Sequence, residues 1–378
     1  MAARVRNSAS DAAVTVGALA LAGLIVANAI HMRTNDKRSV ASQAAARAEI
    51  AHDPIDLAAL RSWGLSLDQS GRTAAAEAVM TFVSRQSWRD VPALVWLVPR
   101  RIREGDFVSA TADADALMRL DIPDGLREPL IKMMIAAADD DGARPALVGR
   151  LADRPWWRES FLPRLAVAGN IAAARAVLLA LADGPAPADG AEIAPLLGRQ
   201  ADLGAYADAL RDWRRLTPTR PTHDDPVRDG DFSARPDPTV FGWSLAVGVG
   251  AQSAIEAAPG GLDGKALRID YDGFSSPDLP RQLLVLGPGR YRVEWRERRD
   301  LAAPRRLDWT VRCADSGATI SQVTTTPADN GQWSLAASTI IVPASGCQGQ
   351  WLGLTASPGE RFDPATIWYG RIKLVPQA

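Results

Sequence analysis

The chain has 378 residues, 47% hydrophobic content and a formal net charge of −1. That length accommodates two ordinary domains, and the charge balance excludes bulk attraction to nucleic acid. Its three histidines, His31, His52 and His223, lie far from one another and from the two cysteines, which excludes a clustered zinc or haem centre, and no cofactor is expected.

The first element is an uncharged run from Ala12 to Ile30, with Arg4 and Arg6 before it and Arg33, Lys37 and Arg38 after it. As a helix it would span roughly 28 Å, about one hydrocarbon core. It predicts a membrane anchor over residues 12–31, with residues 1–11 cytoplasmic. Ala27-Asn28-Ala29 also fits the cleavage site of a signal peptide, and both readings stay open. Basic residues flank both ends almost equally, so charge alone does not set orientation. The only cysteines, Cys313 and Cys347, form an even pair beyond this export segment. Such a pair points to a disulfide and an oxidising compartment, two buried thiols being the alternative. The expected location is therefore an inner membrane, single pass, with the bulk of the chain periplasmic.

Residues 40–216 are rich in Ala, Leu, Arg, Asp and Glu, with turn residues at intervals. Leu57, Leu60, Gly64 and Leu67 share one helical face that Gly71 closes, and Ala76, Met80 and Val83 begin the next helix inward. The plan recurs through Leu94, Leu97 and Val98, then Gly105, Ala110, Ala114 and Leu117, with Gly71 and Gly105 34 residues apart. This interval, with a small residue at the helix crossing and glycine at the turn, resembles the tetratricopeptide repeat. Looser units follow around Gly142 and Gly169, and a last pair spans about 191–216. The resemblance implies an α-solenoid of helical hairpins whose concave face docks a protein partner, or else a spacer. Trp88, Trp96, Trp156 and Trp157 sit beside leucines at helical spacing and are expected in the core more than in a groove. A closed helical toroid of the kind found in sugar-cleaving enzymes would need more helix pairs, and the region offers one histidine, His52.

Residues 217–226 carry three prolines and read as a stiff linker. From 227 to 378 the period becomes two. Leu267, Ile269 and Tyr271 alternate with polar residues, as do Tyr291, Val293 and Trp295, and Leu307, Trp309, Val311 and Cys313. Several pieces occur in register: Val227-Arg-Asp-Gly-Asp-Phe232, Phe241-Gly-Trp243, Gly264 to Ile269, Gln282 to Tyr291 and Ile367 to Leu374. Together they resemble the carbohydrate-binding-module type of galactose-binding-like jelly roll. The resemblance implies a structural calcium near the first and last strands, for which Asp231 matches one position. Gly370-Arg371 stands where an acidic pair is usual, leaving Asp363 as the nearby substitute. The fold class is thus multidomain α + β: a transmembrane helix, a solenoid and an antiparallel β-sandwich.

Strand parity predicts Trp243, Trp295, Trp309 and Trp368 inside, and Trp351 and Tyr369 outside, the latter beside Arg371 and Lys373. An outward ring next to glycine suits stacking on a sugar. The row Arg290, Arg292, Arg296 and Arg298, with Arg306 and Arg312 as expected neighbours, suits carboxylates of an acidic polysaccharide, unless Glu294, Glu297 and Asp308 pair with it. No phosphate loop, Gly-x-Ser-x-Gly or His-Glu-x-x-His occurs, so no enzyme activity is expected. The reading is an envelope accessory protein for exopolysaccharide or capsule assembly, docking a partner and binding a glycan. The alternatives are an interaction scaffold of a secretion or division complex, and a glycan-cleaving enzyme.

Overall fold

The computed structural model describes residues 43–217, 225–299, 306–325 and 331–377. The expected anchor at 12–31 and most of the proline-rich linker lie outside the described residues, among which no helix is long and apolar enough to cross a membrane. By contacts the chain divides into Met1–Pro187 and Ala188–Ala378.

The first unit contains, among the described residues, nine helices: α1 (Gln43–His52), α2 (Leu57–Gln69), α3 (Thr73–Gln86), α4 (Val91–Glu104), α5 (Phe107–Met118), α6 (Asp124–Asp139), α7 (Arg144–Ala152), α8 (Arg158–Ala168) and α9 (Ile171–Ala182). Starts are set by side-chain caps: Asp56, Asp90, Asp106 and Asn170 accept from the first-turn amides that lack intrahelical partners. Gly71 and Gly105, at φ 78° and 79°, turn the chain in a region other residues avoid. From α1 to α7 each helix packs on the next, and α7 bridges α5 and α9. Gly64 lets α2 approach α3, since a Cβ there would sit 3.2 Å from Met80 Cε. Trp96 and Trp157 are core residues as expected, but Trp88 and Trp156 are exposed, under the guanidiniums of Arg89 and Arg127.

Buried ions tie the later helices together. Asp115 accepts from Trp157 Nε1 at 2.9 Å and pairs with Arg119 at 3.0 Å. Arg158 donates to the carbonyls of Leu151, Ala186 and Pro187. Arg101 and Asp113 form a close pair; burial pushes the Asp113 carboxyl up to about 6 despite the opposing pull of that cation.

The second unit begins with α10 (Gly190–Asp202) and α11 (Tyr206–Leu216). A division at 217–226 would assign this pair to the helical array, whereas it packs on segments that flank the strands of the second unit. Trp213 donates to Asp237 at 2.9 Å and stacks 5.5 Å from Phe241. The Tyr206 ring lies against Gly349, where a Cβ would approach it to 2.6 Å.

Among the described residues nine strands follow: β1 (Ala251–Ala257), β2 (Lys265–Tyr271), β3 (Arg281–Leu284), β4 (Gly289–Arg299), β5 (Leu307–Cys313), β6 (Ser321–Thr325), β7 (Ser334–Val342), β8 (Gln350–Ala356) and β9 (Ala365–Gln377). They form two antiparallel sheets, β1-β2-β9-β4-β7-β6 and β3-β8-β5. The inner faces close one apolar core. A series of ring contacts, Phe232, Trp243, Trp309 and Tyr369, runs through it with centroids 5.4–5.7 Å apart. Cys313 and Cys347 are disulfide-bonded.

Candidate functional site

The outward face of the three-stranded sheet follows from its register. Trp351 lies between Leu283 and Arg312, Gly353 between Arg281 and Thr310, and Thr355 beside Asp308. Leu352 and Leu354 face the core, so alternation turns Trp351, Gly353 and Thr355 out. Trp351 is half-buried, and the Arg281 guanidinium lies 4.6 Å from its ring centroid. Gly353 makes room for that arginine, because a Cβ there would come within 2.8 Å of Arg281 Cβ. Two hydroxyls, of Thr310 and Thr355, sit 2.7 Å apart on the same face. The arrangement sets an aromatic face, capped by a guanidinium, beside two hydroxyls. The sequence pointed to Trp351 but missed Arg281; the signal was the register of β3, a strand too short to show alternation.

Tyr369 is a correction. It is 1% exposed and packs edge-on against Trp309, not outward. The cause is a β-bulge: β4 pairs Glu294 with Lys373 but Arg296 with Gly370, so one residue on β9 is extra. Arg371 takes φ 52°, and the strand changes phase there. Beyond it Ile372 and Leu374 face the core, and before it Ile367 and Tyr369 do. By the same shift Trp368, expected inside, stands half-exposed on the outer face, with the Arg268 guanidinium 5.7 Å from its ring.

Arg290, Arg292, Arg296 and Arg298 do point outward along β4, and Arg371 joins them. Their neighbours are β7 and β9. Arg306 and Arg312 belong to the segment around β5 in the other sheet, so they do not extend the row. Glu294 pairs with Arg292 at 2.8 Å and Lys373 at 3.1 Å, while Glu297 turns inward to accept from Trp295 Nε1.

The calcium donors fit poorly. Asp231 accepts from the Ser233 amide and hydroxyl, and Asp363 is held by Arg306 at 3.3 Å. Burial pushes Asp231 upward, but its hydrogen bonds to Ser233 and Asp229 outweigh this and lower its pKa. Among the described residues no three His, Cys, Asp or Glu side chains converge on one point. The turn that carries Asp231 has another task. Gly230 abuts β9, its carbonyl accepting from Ile372 N at 2.8 Å, and Gln282 brackets both backbone groups of Arg228.

Stacked helical hairpins and a two-sheet antiparallel sandwich define the class of the molecule. No family model matches the chain, and no curated protein matches it. Among solved structures, a CBM4 structure is similar at 15% identity over 40% of this chain and 99% of its own, with a TM-score of 0.31. The CBM22-1 xylan-binding domain of Paenibacillus barcinonensis Xyn10C matches at 14% identity over 39% of this chain and 94% of its own, TM-score 0.30. TmCBM61, solved in complex with β-1,4-galactotriose, matches at 14% over 41% and 100%, TM-score 0.29.

Proposed function

We propose that the sandwich binds a glycan on the outward face of β3, β8 and β5, and that the helical hairpins, a tetratricopeptide-like solenoid, dock a protein partner. The chain is then an accessory protein of exopolysaccharide or capsule assembly, anchored by residues 12–31 with its bulk periplasmic. Its role is binding, without catalysis. The observation that carries the glycan reading is the half-buried Trp351 ring with Arg281 over it and Gly353 beside it. With the exposed Arg281 side chain swung off the ring, a pyranose C–H face packs on it while Thr310, Thr355 and the guanidinium take its hydroxyls.

Affinity electrophoresis of the full chain through neutral polysaccharides, xylan and β-1,4-galactan among them, tests this. Retardation that Trp351→Ala abolishes supports the reading. No retardation by any polysaccharide removes it and leaves the second reading, an interaction scaffold without sugar binding. That alternative draws on the burial of Tyr369 and the exposed Trp88 and Trp156 on the helices.

A further inference from the structure

The outward face of the six-stranded sheet is rich in cations. On the outward face of the six-stranded sheet the strand carboxylates are Glu256, Asp270 and Glu294, and each is already engaged by Arg268, Arg292 or Lys373. Four further guanidiniums, those of Arg290, Arg296, Arg298 and Arg371, have neither an ion-pair nor a hydrogen-bond partner among the described residues. This excess of unneutralised cation sits on a chain whose formal net charge is −1. From it we infer that this face binds an acidic polysaccharide through the carboxylates of its uronic acid units, at a site separate from the Trp351 face.

The register brings three of these four together. Arg298 is opposite Trp368, and Arg296 is opposite Gly370, whose next residue is Arg371. Adjacent strands are about 5 Å apart and alternate residues of one strand about 7 Å, so Arg296, Arg298 and Arg371 form one patch, and Arg290 lies about 20 Å further along β4, beyond the Arg292–Glu294 pair. Each guanidinium is a planar fork matched to a carboxylate. Clustered like charges repel in the empty site, and a polyanion relieves that repulsion. The same face also holds apolar ground: Trp368 half-exposed, Val375 opposite Arg292 and Ile341 opposite Arg290. Carboxylate forks interleaved with apolar ground match a uronic acid ring, which has an acidic edge and a C–H face. Strand side chains stand flush, which favours a linear polymer lying across the sheet over insertion into a bilayer.

The test compares the parent chain in detergent with the triple variant Arg290→Gln/Arg296→Gln/Arg371→Gln and with the corresponding triple Arg→Lys variant. Probes are polygalacturonate, xylan, polyphosphate, and phosphatidylglycerol against phosphatidylcholine vesicles. Expected are retardation by polygalacturonate that weakens with salt, a loss of about tenfold or more in the glutamine variant, a smaller loss in the lysine variant, and full retention in Trp351→Ala. The lysine variant keeps the charge and so guards against a folding defect. Equal binding by parent and glutamine variant would overturn the inference. So would polyphosphate binding as tight as polygalacturonate, a lysine variant equal to the parent, or a loss confined to phosphatidylglycerol vesicles. Because Trp351→Ala is the readout for the other face, failure here and failure there are told apart.

Discussion

Breaking the Cys313–Cys347 bond by Cys313→Ala/Cys347→Ala removes a clip that spans 34 residues of sequence. Register places Cys313 directly opposite Gln350, so β5 and β8 are already paired where the bond closes. What the bond encloses is the excursion through β6 and β7, which cross into the other sheet and form its edge. In the chain-entropy account a loop of this length restrains the unfolded state by about 4 kcal/mol. For a unit of this size that corresponds to a drop of roughly 8–16 °C in melting temperature. Both sulfurs are buried, so lost packing adds to the cost rather than offsetting it. The assay is thermal unfolding followed by near-ultraviolet signals of the sandwich tryptophans, with and without reductant, alongside alkylation of the unreduced protein under denaturing conditions. A melting temperature unmoved by both reduction and substitution refutes the reasoning. Labelling of both thiols before reduction does so as well, and also removes the argument for an oxidising compartment.

Three other substitutions check the packing. Gly230→Ala would drive a Cβ to 1.8 Å from the Ile372 carbonyl oxygen, backbone that cannot yield, and should destabilise the sandwich by more than about 3 kcal/mol in urea unfolding. Tyr369→Ala should cost about 3–5 kcal/mol of stability with no selective loss of glycan affinity, whereas Trp351→Ala, at a half-buried ring, should cost about half that or less. Asp113 binds a proton more readily folded than unfolded, so its contribution is present below pH 3.8 and fades as pH rises to about 6. The loss is no more than about 3 kcal/mol. Asp113→Asn should flatten that slope in the unfolding of the helical unit, and a slope unchanged by the substitution would contradict it.

Much of the fold is legible in the residues, for reasons that differ by region. The hairpins α2–α3 and α4–α5 follow from apolar spacing closed by Gly71 and Gly105, because glycine is nearly the only residue that takes their φ. Strands β2, β4 and β5 show in their alternation. The side of the sheet on which Tyr369 and Trp368 stand was not legible, since parity counts residues and the bulge at Arg371 adds one. Nor did the arginine ladder disclose its partners. Its neighbours are fixed by strand order, which brings β9 rather than β5 alongside β4. Trp351 was legible because its strand runs without interruption. Trp88 and Trp156 show the limit of reading aromatic residues as core: each is shielded by an arginine cation instead of by apolar neighbours.

The turn at Gly230 has one more implication. Because that turn is bonded to Ile372, and Asp225 accepts from Val227 N at 2.9 Å beside the Leu374 amide, the polypeptide enters and leaves the sandwich at a common seam. A reporter fused beyond residue 377 would sit at the mouth of the segment that leads in. Joining the two ends by a short bridge and reopening the chain at an exposed connection between the sheets, such as the one around Gly287, should yield a permuted sandwich with the same fold.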